Sequence, residues 1–226
     1  VARWVEKGFG FERRHALAQA GGASREVYGE LAGLGLTGLA VPEAHGGLGF
    51  GPVEAMVVME ELGRGLVNAP YVQGALVAPA LLAQGPQALQ SAWLPRVADG
   101  SALVVLAHQE RAARWRLNHV RTRARWAPTA WRLDGVKCVV PAGRRGRCLH
   151  RAGAHLRHRR RRGRHRLFLV ERQAAQVRAY PTQDGARAGE VRFDGAAATL
   201  ITPTAIQRSK PRSTSASRPT APRRWA

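Results

Sequence analysis

The stretch Leu31–Gly65, LAGLGLTGLAVPEAHGGLGFGPVEAMVVMEELGRG, decides how this 226-residue chain is read. It opens on the end of an amphipathic helix. From Ser24 to Leu34 the apolar residues Val27, Leu31 and Leu34 recur at four and three residues behind Ser24, a side chain suited to an N-cap. The glycines that follow are too many for the helix to continue, and Pro52 is placed as the first residue of the next one. Two helices joined by an ordered loop are therefore predicted. The second sets Val53, Met56, Val57 and Leu62 on or near one face, with Glu54, Glu60 and Glu61 elsewhere. Glu60 and Glu61 are neighbours, about 100° apart on a helix, and read as a solvated or interhelical pair rather than a catalytic couple.

Downstream, APYVQGALVAPALLAQG (69–85) and PQALQSAWLPRVADG (86–100) give two more helical units, so residues 1–100 read as a bundle-like helical domain. At Ser101 the pattern changes. ALVVLAHQ (102–109) is a short apolar run with β-branched residues, and ARWAPTAWRLDGVKCVVPAG (124–143) reads as strand, Asp-Gly turn, strand. Strand-like text resumes in LFLVER (167–172), VRAYPTQDG (177–185) and AGEVRFDGAAATLI (188–201). Between them, residues 144–166 hold eleven arginines, four histidines and no acid, and nothing there alternates like a strand. The end, 201–226, is rich in Ser, Thr, Pro and Arg without apolar periodicity and is expected to be disordered. The fold class is α+β: a helical domain (1–100), then an incomplete β-barrel-like domain (101–200) interrupted at 144–166.

The formal charge is +21, and its distribution matters more than its size. Residues 1–142 carry 15 basic and 11 acidic side chains, whereas 143–226 carry 21 and 4. Dense positive charge attracts phosphate backbones, so a basic nucleic-acid-binding protein acting through the Arg-rich segment is the alternative reading. The segment has no interleaved aromatic for stacking, however, and it falls where the β domain needs its next strands. A shifted reading frame in GC-rich coding sequence yields just such mixtures of Arg, Ala, Gly, Pro and His. Residues 144–166, and again those from about 203 onward, are on this hypothesis out-of-frame translation.

Several chemistries are excluded. Cys138 and Cys148 form no disulfide framework and no CxxC pair, and Cys148, His150, His155 and His158 match no usual zinc spacing. Gly47 and Gly49 supply GxG, but Pro52 stands where the third glycine of a dinucleotide fingerprint belongs. No GxSxG elbow is present. The uncharged run Gly65–Pro95 is broken by Pro70, Pro79 and Pro86, and its apolar centre falls short of the roughly 20 residues a membrane span needs. A cytoplasmic location is expected, and the absence of an initiator Met gives the amino terminus the look of a fragment.

The quoted signature, with its GLxGLxxPExxGGxG loop and EELGR ending, resembles the N-terminal domain of acyl-CoA dehydrogenases. LPRVADGSALVVLAHQE and TRARWAPTAWRLDGVKCVVPAG resemble the passage into that family's middle β domain, and LFLVER with YPTQDGARAGEVRFDGA its later strands. AHQER in place of a Thr-Glu-Pro stretch is nearest in style to the small-subunit type of pimeloyl-CoA dehydrogenase. The resemblance implies FAD as cofactor, an acyl-CoA substrate oxidised to the trans-2-enoyl-CoA, electron-transfer flavoprotein as acceptor, and a homo- or hetero-oligomer of dehydrogenase subunits. It also implies cofactor-binding positions. Leu106, His108 and Gln109 lie beside the isoalloxazine, Trp115 takes the place of a serine, and Val139, Val140 and Pro141 stand for the second flavin-facing stretch. His108 reads equally as a polar strand residue satisfied by its neighbours. Pro141 has no N–H to donate, and Arg111 and Arg114 replace small residues. The family's glutamate base belongs to a C-terminal helical domain with no counterpart after Leu200, so no catalytic residue is assigned and little or no activity is expected.

Overall fold

In the computed structural model the described residues are 1–22, 24–114, 116, 119–141, 147–153 and 165–202, with the backbone alone for 147–153 and 165. Among the described residues six α-helices come first: α1 Ala2–Gly8, α2 Phe11–Gln19, α3 Arg25–Gly33, α4 Pro52–Arg64, α5 Ala78–Leu82 and α6 Gln87–Ala98. A π-helical segment, Val72–Val77, leads directly into α5.

Ser24 caps α3 as its sequence position requires, its Oγ accepting from the N–H of Glu26 at 3.1 Å and of Val27 at 3.4 Å. α4 starts on Pro52, and the Glu54 carboxylate accepts the Gly51 N–H at 2.9 Å. The buried face of α4 differs from the expected one. Val53, Met56 and Val57 are more than half exposed, while Val58 and Leu62 are buried, with Ala55 and Met59 packed beside the same core. Ala55, Val58, Met59 and Leu62 form the complete i, i+3, i+4, i+7 stripe, and that stripe meets Leu31, Leu36 and Tyr71. Leu34, expected on the buried face of α3, is likewise exposed. Glu61 accepts from Arg64 at 2.7 Å, and Arg64 also reaches Glu6 of α1, which makes this carboxylate part of an interhelical contact.

Among the described residues seven strands follow: β1 Val104–Ala107, β2 Arg123–Trp126, β3 Trp131–Pro141, β4 Arg147–Gly153, β5 His165–Val170, β6 Gln176–Pro181 and β7 Arg187–Leu200. They form one sheet, largely antiparallel, in the order β1-β4-β2-β3-β7-β5, with β6 on β7 and a further β4–β5 pairing. The sheet rolls toward a barrel and stays open between β2 and β4, which meet through one residue pair, Arg123 with Gly153. One core lies inside the roll around Leu133, Phe168, Val191 and Phe193. Another, containing Leu82, Leu94 and Val97 with Val104, Leu167, Leu169 and Ile201, welds helices to sheet.

Three local expectations are corrected. Asp134-Gly135 is no hairpin turn. β3 runs straight through it, and the β2–β3 reversal is closed by Ala127 N–H on Ala130 O at 2.9 Å. Gly135 instead sits at a register shift against β7, where a Cβ would meet Thr122, and Asp134 Oδ1 accepts the Gly195 N–H at 2.7 Å. Residues 147–153, inside the Arg-rich run, form a strand parallel to β1 and antiparallel to β5, and β5 itself begins at His165. Pairing on both sides supplies what the sequence pattern lacks, because strand formation follows tertiary context more than local preference. Thr202, placed in the tail from sequence, is buried beside Ile201, and its Oγ1 accepts the Leu167 N–H at 3.1 Å. Residues 142–146, 154–164 and 203–226 lie outside the described residues, and with them most of the segment 144–166 on which the nucleic-acid-binding and out-of-frame readings rest and the expected disordered tail from 203 onward.

Candidate functional site

Two strand ends meet at one edge of the sheet. β1 leaves the core at Ala107 and passes through half-buried His108 to exposed Gln109, and β3 ends in Cys138, Val139, Val140 and Pro141. Cys138 N–H donates to Gln109 O at 2.9 Å and joins the two. The β3–β7 ladder skips from Lys137↔Val191 to Val140↔Gly189, so Cys138 and Val139 fall in an irregularity of the pairing. There Val139 adopts φ 51 and is 51% exposed. A β-branched residue in the left-handed region is strained, a feature that concentrates at ligand-contacting backbone. Pro141 borders a cleft of about 230 Å³ whose walls are the 67–73 segment, with Val67, Pro70, Val72 and Gln73, and the β6–β7 turn with Asp184 and Arg187.

Beneath the junction lies a buried ion pair. Lys137 is fully buried, and its Nζ donates to Glu110 Oε1 at 2.8 Å and to His108 O at 3.1 Å. Glu110, 5% exposed, accepts also from Thr122 Oγ1 at 2.7 Å, Thr122 N–H at 3.0 Å and Arg121 N–H at 2.6 Å. Burial by itself would raise the Glu110 carboxyl; the bonds from Lys137, Thr122 and the Arg121 N–H, with the Lys137 charge, outweigh it and hold the group at about 2. Since this pKa is depressed from 4.5, the linked stability is present above about pH 4.5 and is lost as pH falls toward 2. Over that window the folded chain is expected to lose on the order of 3 kcal/mol through this group. Acid unfolding followed by tryptophan fluorescence checks it: Glu110→Gln should flatten the acid limb, and an unaltered limb would contradict the assignment.

Of the positions assigned from sequence, His108 and Gln109 follow β1, and Val139 and Pro141 lie at the end of β3, the two segments that the Cys138–Gln109 bond joins. Val140 is buried within the sheet core, and Leu106 packs against the helix–sheet core, so both can serve a ligand there through the backbone alone. Trp115 lies outside the described residues. Arg111 has a mostly exposed side chain that pairs with Glu190 of β7 at 3.0 Å, and it lines a pocket together with Cys138. Glu110, Lys137 and Thr122 were not singled out from sequence. The signal was a lone lysine inside the apolar run VKCVV, since a charge in such a strand is buried only when paired.

A helical domain leading into an open sheet, with a cleft beside the joined strand ends, is an arrangement shared with known proteins. Residues 1–101 match the family described as "Acyl-CoA dehydrogenase, N-terminal domain", so this part of the chain is similar to the acyl-CoA dehydrogenases. It is 32% identical over 117 residues to (2S)-methylsuccinyl-CoA dehydrogenase of Cereibacter sphaeroides, covering 51% of this chain and 21% of that protein. It is 30% identical over 146 residues to the acyl-CoA dehydrogenase FadE12 of Mycobacterium tuberculosis, covering 62% and 36%. Among solved structures, a Tcur3481-Tcur3483 steroid ACAD G363A variant superposes with a TM-score of 0.80 at 29% identity, over 91% of this chain and 55% of that one. The ChsE4-ChsE5 complex of M. tuberculosis shares the fold at a TM-score of 0.75 and 23% identity, covering 90% and 53%. The chain thus spans about half the length of these structures and about a fifth to a third of the curated relatives.

The family uses FAD, and the junction fits a flat ring. Val139 presents an exposed apolar face at a break in the ladder, flanked by the polar His108 and Gln109, a setting for a partly apolar, hydrogen-bonding heterocycle. Among the described residues no group of three or more His, Cys, Asp or Glu is placed to hold a metal ion, and no described helix is long and apolar enough to cross a membrane.

Proposed function

We propose that this chain carries the helical domain and the flavin-facing sheet of an FAD-dependent acyl-CoA dehydrogenase that converts an acyl-CoA thioester to the trans-2-enoyl-CoA. The observation that carries the reading is the Cys138–Gln109 hydrogen bond, which sets two strand ends side by side next to the Pro141 cleft. When bound, FAD would accept the β-hydrogen as hydride while the α-proton passes to a base. His108, Gln109 and Val139 would position the ring, and the cleft walls Val67, Pro70 and Val72 would shield an acyl chain from water. Electron-transfer flavoprotein as the acceptor, assembly with dehydrogenase subunits, the small-subunit type and a cytoplasmic location belong to the same proposal.

Glu110 follows Gln109 directly in sequence, and it is unsuited to accept the α-proton. Its oxygens already take four hydrogen bonds, and a carboxyl held at about 2 is a weak base at neutral pH. The 226 residues by themselves are therefore expected to bind flavin with little or no turnover. Titrating the purified chain with FAD and following quenching of flavin fluorescence tests this. One-to-one binding without dye reduction on adding acyl-CoA is the expected result. No FAD binding would overturn the flavin reading, and brisk dye reduction would overturn the expectation of inactivity.

A further inference from the structure

We infer that the buried Lys137–Glu110 pair positions the flavin-facing end of β1, with Lys137 Nζ holding the His108 carbonyl and so fixing where the Gln109 N–H is presented. This rests on the flavin reading above.

The geometry supplies two ties between adjacent elements. Successive carbonyls of an extended segment point to opposite sides, so the main-chain donor that takes Gln109 O does not take His108 O as well. Cys138 N–H makes the first bond at 2.9 Å, and the long side chain of Lys137 supplies the second at 3.1 Å. The peptide joining His108 to Gln109 is trans and planar, so anchoring its oxygen toward Lys137 directs its N–H to the opposite side. A charged donor on the oxygen also polarises the peptide and makes that N–H a stronger donor.

The chemistry of the pair argues for position over stability. A buried ion pair generally contributes no more than an apolar pair of equal volume. Here every partner of Glu110 serves the junction: Lys137 from β3, and Arg121 and Thr122 from the segment entering β2. Three chain segments are thereby pinned around one carboxylate, and the same lysine also donates to the His108 carbonyl at the strand end.

The test compares the full chain with the double variant Glu110→Gln/Lys137→Met, which keeps the volume and removes both charges. Three quantities are read: FAD affinity, the visible absorption spectrum of bound flavin, and hydrogen exchange at the Gln109 and Cys138 amides. The folded double variant is expected to bind FAD about tenfold more weakly, the loss of one charge-assisted hydrogen bond. Its flavin spectrum should shift and both amides should exchange faster. Wild-type affinity, spectrum and exchange in the folded double variant would overturn the inference. If that variant does not fold, Thr122→Val, which loosens Glu110 while keeping both charges, should give a smaller loss in the same direction, and no loss there would overturn it equally. Failure of the wild-type chain to bind FAD would instead sink the flavin reading itself, which separates the two.

Discussion

Lys137→Met alone is expected to lower the stability of the chain by about 3 to 5 kcal/mol, the cost of leaving a buried carboxylate without its counter-charge. The magnitude follows from burial. Both members of the pair are withdrawn from water, and Glu110 would keep only the Thr122 and Arg121 donors. The variant should recover part of the loss at low pH, where Glu110 takes up a proton and its uncompensated charge disappears. Pairing the substitution with Glu110→Gln should bring stability to within about 1 kcal/mol of wild type, because both charges are then absent. Urea unfolding monitored by tryptophan fluorescence measures all three proteins. A single variant as stable as the double would show that the pair is not desolvated as the structure has it.

Gly47→Ala is expected to cost about 2 to 4 kcal/mol, whereas its neighbour Gly46→Ala should cost about 1 kcal/mol. The two differ in what surrounds them. A Cβ on Gly47 would overlap the Val41 carbonyl oxygen and lie 2.5 Å from that carbonyl carbon, and main chain cannot swing aside as a side chain can. Gly46 has a φ of 79 and open space around it, so its substitution incurs only the left-handed backbone penalty. The loop is tied to itself through Gly49 N–H on Val41 O at 2.9 Å and Leu48 N–H on Gly38 O at 2.9 Å, so displacing Val41 disturbs the whole signature. Thermal unfolding of the two variants side by side decides it, and equal losses would refute the contrast.

Much of the helical half was legible because its signals are local. Ser24 as a cap, Pro52 as a first residue and the glycines between them act over three or four residues, and the structure uses each as its chemistry demands. Which side of α4 faces inward was less legible, since Val53, Met56 and Val57 and the stripe Ala55, Val58, Met59 and Leu62 are both apolar sets at helical spacing. Only the position of Tyr71 and Leu31 against one of them decides between the two. Asp134-Gly135 illustrates the same limit in the sheet. The dipeptide has turn chemistry, but Thr122 packed over the glycine and Gly195 bonded to the aspartate make it a bulge.

The candidate site divides in the same way. The amino-acid sequence by itself determined the helical domain, its capped and proline-initiated helices, the family signature and the two strand ends that carry His108, Gln109, Val139 and Pro141, because caps, turns and apolar periods are properties of neighbouring residues. Only the tertiary structure decided that 147–153 forms a strand, that Glu110, Thr122 and Lys137 share one buried carboxylate network, and that Gln109 is bonded to Cys138. Those outcomes depend on residues 12 to 43 positions apart being brought out of water together, and the energetics of desolvation and pairing are set by the assembled surroundings rather than by the order of the residues along the chain.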